Sequence, residues 1–310
     1  MNDTGAYTNI KSLVKFKYQG QGFSFLPRQP VHSLLAGQKT SRLRGRGINF
    51  EEIRTYLPGD DVRNIDWKVT ARMRKPHTRV YTEDRDRPTL LVVDQRINMF
   101  FGSKRAMKSV VAAEAAALGA WRVVCVGDRV GAVIFNDTEI ESIPPHRSNK
   151  TVLNILGSIV RMNQKLTTKH ETVSQSAKLN EALKNVSRLA KHDYLICIIS
   201  DFDGANEDTQ RMMTRLARHN DVIVGFVYDD LETEIPDLGR VIIGDGNKQI
   251  EFDTSDQSLR QRYKDEFADR LAIAKKFLMQ RKVPIIPLNT EIPVAEQLRK
   301  VLGYRPRGNS

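Results

Sequence analysis

The densest chemistry in the sequence lies between Pro58 and Arg72, where Asp60, Asp61, Arg63, Asp66 and Arg72 surround Trp67. Arg63 and Arg72 are planar forks that could grip a phosphate or an acidic motif. The same residues could instead satisfy one another, with Pro58-Gly59 turning the chain, the aspartates capping backbone amides and Trp67 anchoring the segment. Mixed charges at close spacing favour the internal network, and that reading is adopted. A second cluster, Arg28, Lys39, Arg42, Arg44 and Arg46, is almost free of acids. Nucleic acid would neutralise such a run and give steep salt dependence. No aromatic residues interleave with it, however, and no nucleic-acid-binding pattern accompanies it. A solvated or protein-binding face is preferred there.

Nucleophilic and metal chemistry find little support. The histidines at 32, 77, 146, 170, 192 and 219 have no metal-ligand spacing and are expected at the surface. Cys197 lies inside an apolar run and reads as core, while Cys125 falls near the end of a helix. Gly37-Gln38-Lys39-Thr40 lacks the spacing of a phosphate loop. Glu232 and Glu234 precede Pro236 and read as solvent-facing. No catalytic constellation emerges, so the protein is expected not to be an enzyme.

The elements that position these residues follow from hydrophobic patterning. Thr89–Asp94 and Tyr194–Ser200 are short apolar runs, each closed by an acid at Asp94 and Asp201, as expected for strands buried on both faces. An Ala-rich helix follows the first. Hairpins are expected over 129–143 and 240–252, and helices near 150–163, 178–191, 207–219 and 257–280. A strand over Asp221–Tyr228, an edge strand over Val283–Leu288 and a last helix from Thr290, read as its N-cap, to Gly303 complete the pattern. Strands alternating with helices imply an α/β fold with a largely parallel, doubly wound sheet, which binds ligands beyond the carboxyl ends of its strands. Asp94 and Asp201 belong at that rim. Before residue 87 the reading is short strands and turns, with Pro27 and Pro30 limiting any helix near the start.

With 310 residues, 40% of them hydrophobic, the chain can bury a sizeable core. Residues 1–88 carry 17 Lys+Arg against 9 Asp+Glu, so most of the net charge of +12 sits in the first third and suits an acidic partner. Two cysteines cannot build a disulfide framework, and no apolar stretch approaches the roughly 20 residues of a membrane span. A cytoplasmic protein without membrane insertion is expected.

The stretches Arg46-Gly47-Ile48-Asn49-Phe50-Glu51-Glu52-Ile53-Arg54, Tyr56-Leu57-Pro58-Gly59-Asp60-Asp61-Val62-Arg63-Asn64-Ile65-Asp66-Trp67 and Thr70-Ala71-Arg72 resemble the signature of a bacterial domain-of-unknown-function family, number fifty-eight in its series. Glu83–Pro88, Phe101-Gly102-Ser103, Gly127–Gly131 and Ile199–Phe202 add to the resemblance, which spans roughly residues 33 to 300. It implies a von Willebrand factor A-like sheet and an association with MoxR-type AAA+ ATPases.

The resemblance also implies a rim site to be tested. Von Willebrand A domains often hold Mg²⁺ through Asp-x-Ser-x-Ser after the first strand, a later Thr and a distal Asp. Here the first loop reads Asp94-Gln95-Arg96-Ile97-Asn98, and the stretch where the Thr belongs reads Ser176-Ala177-Lys178-Leu179. Arg96 is a permanent cation and cannot ligate a metal. It is expected to replace the metal as counter-ion to Asp94 and Asp201, leaving a degenerate site at Asp94, Arg96, Asn98 and Asp201. A rival reading turns Arg96 outward and keeps weak Mg²⁺ on Asp94, Asn98 and Asp201.

The organisation expected is an N-terminal basic segment over 1–85 packed against a von Willebrand factor A-like domain over 86–303, with a tail over 304–310. The function implied is a non-enzymatic adaptor or co-chaperone that joins a MoxR-type AAA+ ATPase to client proteins. Its partner-facing rim would comprise Asp94, Arg96, Asn98, Asp201 and Asp203, with Arg42, Arg44 and Arg46 as a second, basic contact. The alternatives are a nucleic-acid-binding module using the Arg-rich first third and, last, a metal-dependent hydrolase.

Overall fold

A computed structural model describes residues 5–19, 47–58, 60–84, 87–167, 176–233, 239–244, 249–253, 255–258, 261 and 283–302. They divide into two compact units: residues 5–19 together with those from 87 onward, and the stretch from 47 to 84.

The larger unit is built on a six-stranded sheet. Its strands are β3 (Thr89–Asp94), β4 (Val130–Phe135), β5 (Ile140–His146), β6 (Leu195–Ser200), β7 (Asp221–Tyr228) and β10 (Ile285–Asn289), in the order β10-β7-β6-β3-β4-β5. All pairings are parallel except β4 with β5. Every residue of β3, β4 and β6 is buried. That two-sided burial is why these strands read as continuous apolar runs rather than alternating ones. Pro287, which has no N–H to donate, lies on edge strand β10, where its lost bond faces no neighbouring strand.

Helices cover both faces. On one side α5 (Ser176–Leu189) and α6 (Glu207–His219) pack Leu179, Leu183, Val186, Met213 and Leu216 onto Leu90, Val92, Ile196, Ile198 and Val224. On the other lie α3 (Lys108–Cys125), α4 (Asn149–Asn163) and α8 (Val294–Leu302), with α1 (Ile10–Gln19) resting on α3 and α4; a single turn, α7 (Asp230–Thr233), follows β7. The Ala-rich stretch of α3 lets this helix sit so close to the sheet that fourteen of its residues are buried. A separate antiparallel pair joins β8 (Arg240–Gly244) to β9 (Gln249–Asp253).

Helix α1 departs from the sequence reading, in which the prolines downstream limited helix formation and residues 1–85 formed one segment; residues 5–19 and 47–84 fall in different units. In the sheet unit Leu13 is fully buried, its carbonyl accepts the Trp121 indole N–H at 3.3 Å, and Lys17 lies over that ring. The preceding residues are laced down by Tyr7 Oη on the Leu166 carbonyl (2.8 Å) and by Thr8 N on Asn163 Oδ1 (2.8 Å). Gly5, at φ +71°, could not carry a side chain, because a Cβ there would stand 2.0 Å from the Arg105 carbonyl oxygen.

The last helix also starts later than expected. Thr290 is fully buried and donates its hydroxyl to Asp229 rather than capping a helix, and α8 begins at Val294, after Pro293. The helix expected over 257–280 lies almost wholly outside the described residues.

In the smaller unit, β1 (Gly47–Thr55) pairs antiparallel with β2 (His77–Asp84), with a bulge between Phe50 and Glu52. Between them run a single 3₁₀ turn (Val62–Asn64) and α2 (Trp67–Met73), an element not anticipated from the pattern.

Candidate functional site

The carboxyl ends of the parallel strands form the rim that the sequence indicated, and four of the predicted residues meet there. Asp94, last residue of β3, is wholly buried and is met entirely by donors. Arg96 gives it three: the backbone N at 3.0 Å, Nε at 3.0 Å and Nη2 at 2.7 Å. The Ser200 hydroxyl adds a fourth at 2.7 Å. The Arg96 fork is held from the far side by the Asp203 carbonyl, 3.2 Å from both Nη1 and Nη2, and its guanidinium lies over the Phe135 ring. Arg96 thus points inward and is itself fully buried. Asp203 takes part through its backbone: its N–H donates to Asp201 Oδ1 at 3.0 Å, and its carbonyl takes Arg96.

Asp201 is the second carboxylate, and Arg96 is not its main partner. The guanidinium comes no nearer than 4.0 Å, whereas Lys108 Nζ lies 2.7 Å from Asp201 Oδ2 and 2.6 Å from Glu232 Oε1. Asn98 Nδ2 also donates to Asp201, at 2.8 Å. Lys108, in the first turn of α3, is 2% exposed, and among the described residues these buried acids neutralise its ammonium. Sequence reading missed it because a lysine at the head of a helix ordinarily lies in water. Only its partners, 93 and 124 residues away in the chain, reveal the role. Glu232, expected to face solvent, is 6% exposed and belongs to this network.

The electrostatics follow from burial and pairing. Complete burial pushes the Asp94 carboxyl up, against the pull of Arg96 and Ser200. Burial also acts on Asp201, but Lys108 and Arg96 outweigh it and hold that carboxyl below the usual range. The acids around Lys108 likewise overcome its desolvation and hold its pKa above that of an ordinary lysine. Asp94 and Asp201 likewise outweigh the desolvation of Arg96 and favour its charged form.

These residues do not fit a Mg²⁺ centre. Mg²⁺ needs oxygen ligands and room for waters. Here nitrogen donors occupy the faces of both carboxylates, and Asn98 turns its amide nitrogen, not its oxygen, to Asp201. Among the described residues no group of three or more His, Cys, Asp or Glu is placed to hold a metal.

Behind the rim a second layer fixes the loops. Asp229, wholly buried, accepts the Ser103 N–H at 2.8 Å, the Leu231 N–H at 2.9 Å and the Thr290 hydroxyl, tying together the loops after β3, β7 and β10. Asp137 Oδ2 takes the Ile97 N–H at 2.7 Å. Cys197 faces the apolar gap between β6 and α3, and burial pushes its thiol up to about 12, away from the reactive thiolate. Cys125 is exposed.

The Pro58–Arg72 block divides in two. Its aspartates serve the backbone: Asp60 accepts from Arg54 Nη2 (2.7 Å) and Leu57 N (2.9 Å), Asp61 from Arg63 N (3.0 Å), and Asp66 caps α2 through Lys68 N (3.0 Å) and Val69 N (3.1 Å). Trp67, expected to anchor the segment, is instead 71% exposed, and the Arg63 and Arg72 side chains are exposed as well. The sequence had grouped residues that the structure assigns to opposite tasks. Arg42, Arg44 and Arg46 lie outside the described residues.

The fold and rim together define a class. A mostly parallel α/β sheet with the domain's third strand turned antiparallel at one edge is a von Willebrand factor A-like domain, here with its rim carboxylates closed by cationic side chains. The chain belongs to the family described as "Protein of unknown function DUF58", whose model matches residues 52–272. It is 30% identical over 287 residues to the Mycobacterium tuberculosis "Uncharacterized protein Rv1480" and, equally, to the Mycobacterium bovis "Uncharacterized protein Mb1516", covering 91% of this chain and 87% of each relative. Among solved structures, a conserved hypothetical protein BatB from Bacteroides thetaiotaomicron aligns at TM-score 0.39 and 13% identity, over 69% of this chain and 98% of that one. The SpRpn10 VWA domain aligns at TM-score 0.36 and 8% identity, over 70% and 95%. Among the described residues no helix is long and apolar enough to cross a membrane.

Proposed function

We propose that the protein is a non-enzymatic, cytoplasmic adaptor whose sheet rim contacts a MoxR-type AAA+ ATPase and links it to client proteins. The observation that carries this reading is the internal neutralisation of the rim: Asp94 and Asp201 are each held by a cation of the chain itself, in donor contacts of 2.7 Å. A carboxylate spent in this way is neither a general base nor a metal ligand, which leaves shape and surface chemistry as what the rim has to offer. Its solvent side carries Phe101, 37% exposed, and Ile292, 45% exposed, next to the ion pair of Lys104 with Glu291. Recognition loops gather at such rims. The ATPase as partner is drawn from the family resemblance alone.

The test is affinity capture of the tagged full chain from nuclease-treated native lysate, with and without ATP, followed by mass spectrometry. An AAA+ ATPase enriched in a nucleotide-dependent way, and lost from the Phe101→Ala/Ile292→Ala variant, is the expected result. Nucleic acid recovered from untreated lysate with no enriched ATPase would replace the adaptor reading. A rise of Tm on adding Mg²⁺ or Mn²⁺ would show the rim taking a metal and undo the closed-rim premise.

A further inference from the structure

The smaller unit exposes what proteins usually bury. Leu57 is 57% exposed, Val62 61%, Trp67 71% and Met73 61%, all within seventeen residues of chain. The same stretch uses its polar groups locally: the Asp60, Asp61 and Asp66 carboxylates accept from backbone amides or Arg54, and Thr70 Oγ1 accepts the His77 N–H at 3.0 Å. Helix α2 is pinned by its partly buried Val69 and Thr70, and by bonds joining Asp66 and Ile65 to β2. Its outward side presents Trp67 and Ala71 as one i, i+4 stripe beside Lys68 and Arg72 as the next. Residues 67–75 contain four cations and no acid. Among the described residues none of Lys68, Arg72, Arg74 and Lys75 forms an ion pair, and all are exposed.

A capped helix with an indole beside free cations has the composition of an interface centre, where Trp and Arg are enriched. We propose that this face of α2, with the turn before it, is a docking surface for an acidic protein segment that lays an apolar side chain on Trp67 and sets carboxylates against Lys68 and Arg72. Charge selects an anionic partner. A protein is selected over nucleic acid, because a single-stranded nucleic-acid platform repeats aromatic residues and this face has one. This inference is independent of the rim reading and of any ATPase.

Trp67 is its own reporter, since the second of the two tryptophans, Trp121, is 4% exposed. The experiment selects random displayed peptides on the full chain, then titrates the winners while following the fluorescence difference between wild type and Trp67→Phe. The free chain is expected to show an indole open to acrylamide quenching. Selected peptides should be rich in Asp or Glu with at least one large apolar residue, and should shift the Trp67 emission to shorter wavelength. They should bind at least about tenfold more weakly to Trp67→Ala and to Lys68→Glu/Arg72→Glu. A Trp67 already shielded from acrylamide in the free chain would overturn the proposal, because the chain or a second copy would then cover the face. So would selected peptides without acidic residues, or an oligothymidine that binds Trp67 more tightly than any selected peptide.

Discussion

The rim of the sheet and the capped turn-and-helix between β1 and β2 both gather aspartates and arginines, yet they dispose of charge in opposite ways. At the rim, Asp94, Asp201 and Glu232 are desolvated, and each is met by a side-chain cation, Arg96 or Lys108, that is desolvated with it. In the smaller unit Asp61 and Asp66 are met by backbone N–H groups and Asp60 by one together with Arg54, so Lys68, Arg72 and Arg74 are left free in water. The first arrangement is closed to a new ligand without breaking an ion pair. The second leaves its cations available. Residue type and spacing therefore do not identify a binding site; what decides is whether the acids nearby are satisfied by side chains or by the backbone.

The sharpest way to break this contrast is to remove one rim cation. Lys108→Met leaves Asp201 and Glu232 buried without their ammonium and is expected to cost about 3–5 kcal/mol in urea unfolding. Adding Asp201→Asn and Glu232→Gln to Lys108→Met should recover a large part of that loss, since the penalty comes from the stranded charges. A Lys108→Met variant as stable as wild type would mean that the ammonium is not the group neutralising the rim.

Acid provides the second test. Asp201 and Asp229 have folded pKa values held below the ordinary carboxylate range, Asp201 by Lys108 and Arg96 against its burial, and Asp229 by the Thr290 hydroxyl and backbone N–H groups against its own. A depressed folded pKa contributes stability that is fully present above the unfolded value of about 4 and is lost as pH falls through the folded value. The melting temperature should therefore hold level with respect to these two groups between pH 7 and about 5 and drop below about pH 4. Asp229→Asn should start lower and fall less. A variant with the same acid slope as wild type would remove Asp229 as a source of it.

In the smaller unit the carboxylates act one at a time on the backbone, so the effects are smaller. Asp66→Ala removes the N-cap of α2 and should cost about 1 kcal/mol, read as lost helix signal and a lower urea midpoint. Asp66→Asn, which keeps the accepting oxygen, should restore most of it.

What could be read in the sequence separates along the same line. Strands β3, β6 and β7 and helix α6 were recognisable because burial on two faces, or on one stripe, leaves a local pattern. Asp94 and Asp201 were placed at the rim by strand ends alone. Lys108 was not, since nothing within α3 distinguishes a lysine facing Asp201 from one facing water. Glu232 was misjudged for the same reason: the ammonium it meets lies 124 positions away. Helix α1 did carry a helical spacing in Ile10, Leu13, Val14 and Lys17, but that signal was outweighed by Pro27 and Pro30, which come after the helix ends. In the Pro58–Arg72 block the residues were the right ones to notice, and charge alone could not tell the aspartates that cap amides from the arginines that do not join them.

The smallest expected effect is the one that tests the open face most directly. Trp67 is 71% exposed and is not held by any hydrogen bond among the described residues, so Trp67→Ala removes little buried area and no cap. Its change in unfolding free energy should lie within about 0.5 kcal/mol of zero, in a urea titration where Lys108→Met shifts the midpoint far down. A large aromatic that costs nothing to remove is not kept there by the fold. If Trp67→Ala instead costs about 2 kcal/mol or more, as a buried aromatic would, the indole is packed in solution, and the smaller unit is closed in the way the rim is.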